Sequence, residues 1–220
     1  MNISSSYGLW PLVVINSAIF ILFEFSFTKP KTSHDWRSLG TFSAFVVAMF
    51  VEMYGFPITI YFLSGWLQSF IPETDLLAHD NGHLWYSVFG LEGDPHLNPF
   101  HLLSNLLILA GFIIVYKSWK ILHGSQQSGT LATTGPYGYV RHPQYIGFIL
   151  VMVGFLFMWP TLTTLVMFPI LVTVYVRLAK REEEIVQEEF GSVYLDYRKI
   201  VPAFIPNWGN RGLNTPGGIS

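Results

Sequence analysis

The stretch that decides the fold is residues 145–178, "YIGFILVMVGFLFMWPTLTTLVMFPILVTVYVRL". It consists of two apolar runs, 145–159 and 162–178, which are separated only by Pro160 and Thr161. A membrane-spanning helix needs about 20 mostly apolar residues, so the second run nearly suffices and the first is short. Because the connection is so short, the two runs are expected to form a tight helical hairpin.

Composition places the whole chain in the membrane class. Of its 220 residues, 51% are hydrophobic and 12% are charged, whereas soluble domains carry about 25% charged residues. Aromatic residues make up 17%, and we expect a bilayer to solvate what a soluble core would not bury. The net charge of −2 is too small to suggest a nucleic-acid partner. The absence of cysteine excludes disulfides, thiolate nucleophiles and Cys-ligated metals.

Three further apolar segments precede the hairpin and qualify as spans or nearly so. They are residues 9–27, 39–66 and 100–119, and the second is interrupted by Gly55 and Pro57. The predicted fold class is therefore an all-α integral membrane protein with about five transmembrane helices. The last two form the tight hairpin, and a cytoplasmic C-terminal helix follows them.

The distribution of positive charge predicts the orientation. All twelve Lys and Arg residues lie within 29–37, 117–141 and 177–211, and residues 68–99 carry none. Cytoplasmic loops are enriched in Lys and Arg, so five spans put the N-terminus outside and the C-terminus inside. The loop charges suggest a bacterial-type inner membrane, and an endoplasmic-reticulum location obeys the same rule.

The chain divides into three predicted parts. Residues 1–99 hold the first two spans and an acidic outer loop, residues 100–206 form a core, and residues 207–220 are expected to be a disordered tail. The outer loop contains His79 and His83, which are four residues apart. Because Asn81-Gly82 between them argues against a helix, we expect no metal site.

Two segments on the cytoplasmic side combine residues suited to ligand binding. The first is "LATTGPYGYVRHPQYIGF", residues 131–148, and the second is "VRLAKREEEIVQEEFGSVYLDYRKIVPAFIP", residues 176–206. In the second, a helix is expected to continue out of the membrane and to stop at Gly191. On spacing alone, the glutamates also suit a solvated face and the basic and aromatic residues an interface belt.

The order of these motifs resembles the isoprenylcysteine carboxyl methyltransferase family. The first motif is "TGPYGYVRHPQYIGF", one hairpin follows it, and the second motif is "R…EE…FG..Y..Y…P". The wider group includes phospholipid N-methyltransferases, and the resemblance covers residues 100–206. It implies an integral-membrane methyltransferase that binds S-adenosylmethionine in a cytosol-facing pocket made by the last spans and the C-terminal helix. A lipid-like acceptor would enter that pocket from the bilayer.

The resemblance also implies roles for individual residues. Arg177 and Glu182 would lie where the methyl group is transferred, although which of Glu182, Glu183 and Glu184 faces the cofactor is left open. The residues expected to bind the cofactor are Leu131, Gly135, Pro136, Tyr137, Arg141, His142, Tyr145 and Glu183.

The chemistry of these residues is compatible with that cofactor. Tyrosine faces attract a sulfonium cation, Glu182 or Glu183 can hydrogen-bond ribose hydroxyls or an ammonium group, and Arg141 or His142 can pair with the cofactor carboxylate. A carboxylate acceptor could be held by Arg177 without a base. An amine or thiol would benefit from a base, for which Glu182 is the nearest candidate.

One acidic residue lies inside the second span. Glu52 stands beside the Gly55 and Pro57 break, where it either reaches toward the substrate or makes a local hydrogen bond that caps the kink. The acceptor is expected to be a hydrophobic or membrane-borne carboxylate, thiol, amine, phenol or lipid headgroup. The alternatives are a non-enzymatic assembly or small-molecule-binding protein on this scaffold and a transporter, which the lack of a repeat disfavours.

Overall fold

The computed structural model describes residues 7–70, 89 and 99–206, and within these it contains helices and no strand. A π-helical segment, Val51–Gly55, and a 3₁₀ turn, Gly135–Gly138, interrupt the α-helices. The α-helices are α1 Trp10–Thr28, α2 Ser33–Phe50, α3 Ile58–Phe70, α4 Pro99–Ser128, α5 Pro143–Met158, α6 Leu162–Phe190 and α7 Ser192–Ile200. The expectations for His79, His83 and the tail at 207–220 fall outside the described residues.

The prediction of an all-α membrane protein is confirmed. Four helices are long and apolar enough to cross a bilayer: α1, α2 with its π-helical extension, α4 and α6. Helix α5 is apolar but has only 16 residues. The predicted span 39–66 is divided by the π-helical segment, and α3 begins anew at Ile58. The orientation and the full span count stay predictions.

The break after α2 explains the acid inside the membrane. Pro57 has no N–H to donate to the preceding turn, and its ring disfavours a continuous helix at this point. Glu52 Oε2 instead accepts a hydrogen bond from the backbone N–H of Thr59 at 2.9 Å, in the first turn of α3. The Thr59 hydroxyl in turn accepts from the N–H of Leu162 at 2.7 Å, where α6 begins. Glu52 thus caps the restarted helix, as one of the two sequence readings proposed.

The predicted hairpin is confirmed, since only three residues separate α5 from α6. Thr161 ends this connection and caps α6, because its hydroxyl accepts a hydrogen bond from the N–H of Thr164 at 3.1 Å. The pair lies against α2 through a buried aromatic layer. Within it, the rings of Phe148 and Tyr175 are stacked with centroids 5.6 Å apart, and Phe42 lies 5.3 Å from Phe148.

Helices α4 and α5 approach closely because glycines line their contact. A Cβ atom added at Gly111 would lie 2.7 Å from the carbonyl oxygen of Gly147 and 3.0 Å from the N of Val151. Small residues allow such backbone contacts between membrane helices. The close packing fixes the start of α5, and with it residues 141–145, beside the C-terminal part of α4.

Replacing Gly111 by Ala is expected to destabilise the protein. The new methyl group would meet backbone atoms that cannot move independently, and overpacking of this kind costs about 1–3 kcal/mol. For a chain of this size, about 1 kcal/mol shifts the melting temperature by about 2–4 °C. The measurement is thermal unfolding in detergent, followed by tryptophan fluorescence.

Gly124→Ala is the matched control, since Gly124 lies in the same helix and has no heavy atom within 4 Å of an added Cβ. It should leave the melting temperature unchanged or raise it slightly, because Ala favours helix. Equal melting temperatures for the two variants would contradict the close packing of α4 on α5.

Candidate active site

A cavity of about 370 Å³ lies at the end of the helical bundle that the sequence predicts to be cytoplasmic. Its volume falls within the range of about 300–1,000 Å³ that is typical of small-molecule sites. Its walls come from the first turn of α2, the end of α4, residues 129–144, the polar end of α6, and α7. The site is therefore assembled from segments that are distant in sequence.

Glu183 is the centre of the polar network in this cavity. Its Oε1 atom accepts hydrogen bonds from Arg141 Nε at 2.9 Å and Arg141 Nη2 at 2.8 Å. His142 Nε2 lies 2.9 Å from the same oxygen, and Arg198 Nε lies 3.9 Å from the other. One carboxylate thus joins α6, the residues before α5, and α7.

Arg141 also holds the chain that follows α7. Its Nη1 atom donates to the carbonyl oxygens of Arg198 at 3.3 Å and Val201 at 2.6 Å. Its backbone N–H donates to the carbonyl of Pro202 at 2.9 Å. A guanidinium has five N–H donors. The two Nη1 contacts and the two hydrogen bonds to Glu183 use four of them. Arg141 therefore positions the wall and keeps little capacity to pair with a ligand carboxylate.

Glu182 is the more open of the two carboxylates, with 26% of its side chain exposed against 14% for Glu183. The hydroxyl of Tyr145 donates to Glu182 Oε1, and the amide of Gln144 donates to Oε2 at 3.4 Å. The Nδ1 atom of His142 lies 3.5 Å from Oε2. These contacts orient Glu182 while leaving it accessible from the cavity.

The charges of the network stabilise one another. Burial acts to raise the pKa of Glu183, but hydrogen bonds from His142 and Arg141 outweigh it and lower the pKa to about 2. Burial acts to lower the pKa of His142, but its hydrogen bonds to Glu182 and Glu183 outweigh it and raise the pKa above the ordinary value. His142 consequently holds its proton to higher pH than a free histidine.

Tyrosines form much of the remaining wall and stay protonated at neutral pH. Burial and the nearby Glu183 charge raise the pKa of Tyr194 to about 12. Burial, followed by the Glu182 charge, raises the pKa of Tyr137 as well. The hydroxyl of Tyr197 donates to the carbonyl of Tyr137 at 2.7 Å. The tyrosines thus present uncharged rings to the cavity, while the hydroxyls of Tyr137 and Tyr197 bond within the protein.

The structure brings most of the expected residues together. Tyr145 reaches the cavity through its hydrogen bond to Glu182. Gly135 and Pro136 do not line it, but form the 3₁₀ turn that carries Tyr137, with Gly135 at a φ of +58°. The other expected residues line the wall directly: Leu131, Tyr137, Arg141, His142, Glu182 and Glu183.

Three acidic or basic positions are placed elsewhere. Arg177 is exposed and does not line the cavity, because five helical residues from Glu182 correspond to a rotation of about 140°. Glu184 is also exposed and outside the cavity, whereas Glu182 and Glu183 line it. Glu52 lines a separate small cavity beside Thr161, at the other end of the bundle.

Several lining residues were not expected from the sequence. Gln144 stands within the "RHPQY" segment and Tyr194 and Tyr197 follow α6, so all three were close to motifs already singled out. His34 and Asp35 come instead from the first turn of α2. The available signal was the Thr32-x-x-Asp35 pattern of a helix start, which indicates a helix but carries no information about a cavity.

The network predicts a stability maximum in mildly acidic solution. Because the folded pKa of Glu183 is depressed, its contribution is present above its ordinary value of 4.5 and is lost as the pH falls toward about 2. Because the pKa of His142 is raised, its contribution is complete below 6.5 and is lost as the pH rises through the raised pKa. Melting temperatures in detergent from about pH 4 to 8 should therefore peak between about 4.5 and 6.5.

Glu183→Gln tests the assignment, since it removes the charge but keeps the shape of the side chain. We expect a lower and flatter profile, because His142 then loses its main partner. A profile for the variant that keeps the wild-type shape would assign the pH dependence to other groups.

Part of the chain is similar to known methyltransferases. Residues 99–193 match the family model described as phospholipid methyltransferase. A stretch of 78 residues is 37% identical to protein-S-isoprenylcysteine O-methyltransferase of Mus musculus and covers 35% of this chain and 28% of that protein. A stretch of 77 residues is 36% identical to the Schizosaccharomyces pombe protein of that name and covers 34% of this chain and 33% of that protein.

A longer match, to the Xenopus laevis protein of the same name, is 29% identical over 157 residues. It covers 67% of this chain and 50% of that protein, so the chain spans half or less of the length of these relatives. No solved structure matches the chain significantly. The family model and the shared name of the relatives support the resemblance to membrane methyltransferases of the isoprenylcysteine type that the motifs indicated.

Proposed function

We propose that this protein transfers a methyl group from S-adenosylmethionine to a hydrophobic or membrane-borne acceptor. The observation that carries the proposal is the cavity beside the membrane helices, in which an oriented, accessible Glu182 lies next to the Glu183–Arg141–His142 network. The relatives are named for methylation of an isoprenylcysteine, a lipid-modified residue. A membrane-linked acceptor is the class that this position in the fold suits.

The lining residues fit the cofactor. Four carboxylates line the cavity against one guanidinium and two imidazoles among the described residues, so a ligand that carries positive charge is favoured. The Nδ1 atom of His142 has only a long contact, 3.5 Å to Glu182 Oε2, and Glu182 is itself partly open. Both are suited to polar groups of a ligand, and Tyr194 and Tyr197 supply aromatic faces for a cation.

The protein's part in the reaction is positioning and proton transfer. Bound S-adenosylmethionine supplies an activated methyl group on a sulfonium sulfur. Glu182, held by Tyr145 and Gln144, accepts the proton of an amine, thiol or phenol acceptor. Glu183 keeps the wall in place through Arg141. Arg177 lies outside the cavity, so the proposal assigns the acceptor-side chemistry to Glu182.

The proposed orientation puts the cavity and the C-terminal segment on the cytoplasmic side and the N-terminus outside. It is supported by the basic residues around the cavity end of the bundle, which include Lys29, Lys31, Arg198 and Lys199. Two single-cysteine variants would test this orientation, one with the cysteine at Ser125 and one with it at the N-terminus. Each is labelled in intact cells with a membrane-impermeant maleimide.

Purified protein in detergent is expected to bind S-adenosylmethionine and S-adenosylhomocysteine saturably, as measured by calorimetry. His142→Ala should weaken this binding at least 10-fold, because it removes a lining group and frees Glu183 from one of its partners. His142→Gln should recover part of the affinity, since the amide can still donate to Glu183. Absence of binding to folded wild-type protein would favour a non-enzymatic role on the same scaffold.

Glu182→Gln should reduce methyl transfer about 10²-fold or more, the usual contribution of a general base. The affinity for S-adenosylhomocysteine should change much less, since the amide keeps the hydrogen bond from Tyr145. Transfer is measured as tritium passed from methyl-labelled cofactor to lipid-extractable product.

Glu184→Gln is the matched control, because Glu184 is the same residue type in the same helix but is exposed and outside the cavity. It should retain wild-type turnover. Equal turnover of the Glu182 and Glu184 variants would remove Glu182 from the reaction.

A further inference from the structure

One wall of the cavity comes from a part of the chain outside the match to the methyltransferase family model. The model matches residues 99–193, whereas Thr32, His34 and Asp35 lie at the start of α2. The cofactor network described above belongs to residues 141–145, 182–183 and 194–201. The first turn of α2 faces the same space and is available for a second ligand.

Local hydrogen bonds fix the backbone of this turn and leave His34 without a partner. Thr32 Oγ1 accepts from the N–H of Asp35 at 3.1 Å, and Asp35 Oδ2 accepts from the N–H groups of Thr32 and Lys31, both at 2.9 Å. The imidazole of His34 makes no hydrogen bond within the described residues, and its Nδ1 atom is buried. An unpaired, partly buried imidazole on a rigid turn is suited to hold a polar group of a ligand.

The first turn of α2 and the polar end of α6 meet at this cavity. The hydroxyl of Tyr175 in α6 donates to the carbonyl of Ser38 in α2 at 3.3 Å, so the two helices are in contact four residues from His34. His34 and Glu182 both line the cavity. A ligand in the cavity can therefore contact both side chains.

The charges of the cavity restrict what that molecule can be. Arg141 is the only Lys or Arg side chain among the described lining residues, and its donors are engaged by Glu183 and by backbone carbonyls. An anionic acceptor would face Asp35, Glu182 and Glu183, whereas the cations Arg141 and His142 are already paired with Glu183. A neutral or cationic acceptor escapes this repulsion and can hydrogen-bond both His34 and Glu182.

We propose that the acceptor is a lipophilic thiol, phenol or amine, not a carboxylate, and that His34 binds its polar group. The acceptor heteroatom uses a lone pair to form a bond to the methyl carbon, while the sulfonium S–C bond breaks and its electron pair stays on sulfur. The proton of the acceptor passes to the Glu182 carboxylate. This inference rests on the proposed methyltransferase function and narrows its substrate class.

The experiment uses four probes that share one chain and differ in the polar group: dodecanethiol, 4-dodecylphenol, dodecylamine and dodecanoate. Each is tested with the detergent-solubilised full chain for stabilisation of the S-adenosylhomocysteine complex in thermal unfolding, and for methyl transfer from labelled cofactor. At least one of the first three should stabilise the complex and react with at least 10-fold higher kcat/KM than dodecanoate.

His34→Ala should raise the KM for that probe at least 10-fold and abolish its stabilising effect, while the Kd for S-adenosylhomocysteine stays within 2-fold. His34→Gln should recover part of the loss, because the amide can still hydrogen-bond. Ser33→Ala is the control, since Ser33 is exposed in the same turn and outside the cavity. It should match the wild type.

The inference is overturned if the protein prefers to bind or methylate dodecanoate, or N-acetyl-S-farnesylcysteine as a second carboxylate. That result leaves the methyltransferase proposal standing. The same holds if no probe stabilises the complex in a manner that depends on His34, or if His34→Ala weakens cofactor binding as much as His142→Ala. Failure of the wild type to bind either cofactor form would instead reject the proposed function itself.

Discussion

The site depends on the buried carboxylate of Glu183 and the cations that neutralise it. A partly buried carboxylate without partners would be costly, and here Arg141 and His142 supply hydrogen bonds that overcome the burial. Because the partners come from different segments, the charge balance acts as a structural constraint. Helix α6 and the residues before α5 meet at the Glu183 carboxylate, and Arg141 in turn holds the chain after α7.

The membrane helices bring those segments together. Helix α6 has 29 residues, which makes it about 43 Å long, whereas the hydrocarbon core of a bilayer is about 30 Å thick. One continuous helix can therefore span the bilayer and carry Glu182 and Glu183 beyond it. At its other end, the Thr59 hydroxyl bonds the first N–H of α6, and the glycines between α4 and α5 set the position of Arg141 and His142.

The sequence predicted what depends on composition and local pattern. Apolar runs predicted the helices, and Pro160 and Thr161 predicted the hairpin that the structure contains. Gly191 was expected to end the helix, and it stands after Phe190 with a φ of +54°. Most of the motif residues also line one cavity.

What the sequence did not predict depends on tertiary contacts. The sequence around Arg141 did not show that its guanidinium would bond within the protein. Its partners are backbone carbonyls about 60 residues further along the chain. Arg177 is exposed because its position five residues before Glu182 turns its side chain to another face of α6. His34 had no signal at all, since a helix start at Thr32 does not reveal what the turn will face.

The bonds from Arg141 to the carbonyls of Arg198 and Val201 also set an order of events during synthesis. A chain made from its N-terminus contains α1 to α5 before residues 198–201 are synthesised. Until those residues emerge, the Nη1 atom of Arg141 has no protein carbonyl to bond and the wall formed by α7 is missing. The helical bundle can thus assemble first, and the ligand cavity is completed by one of the last described segments to leave the ribosome.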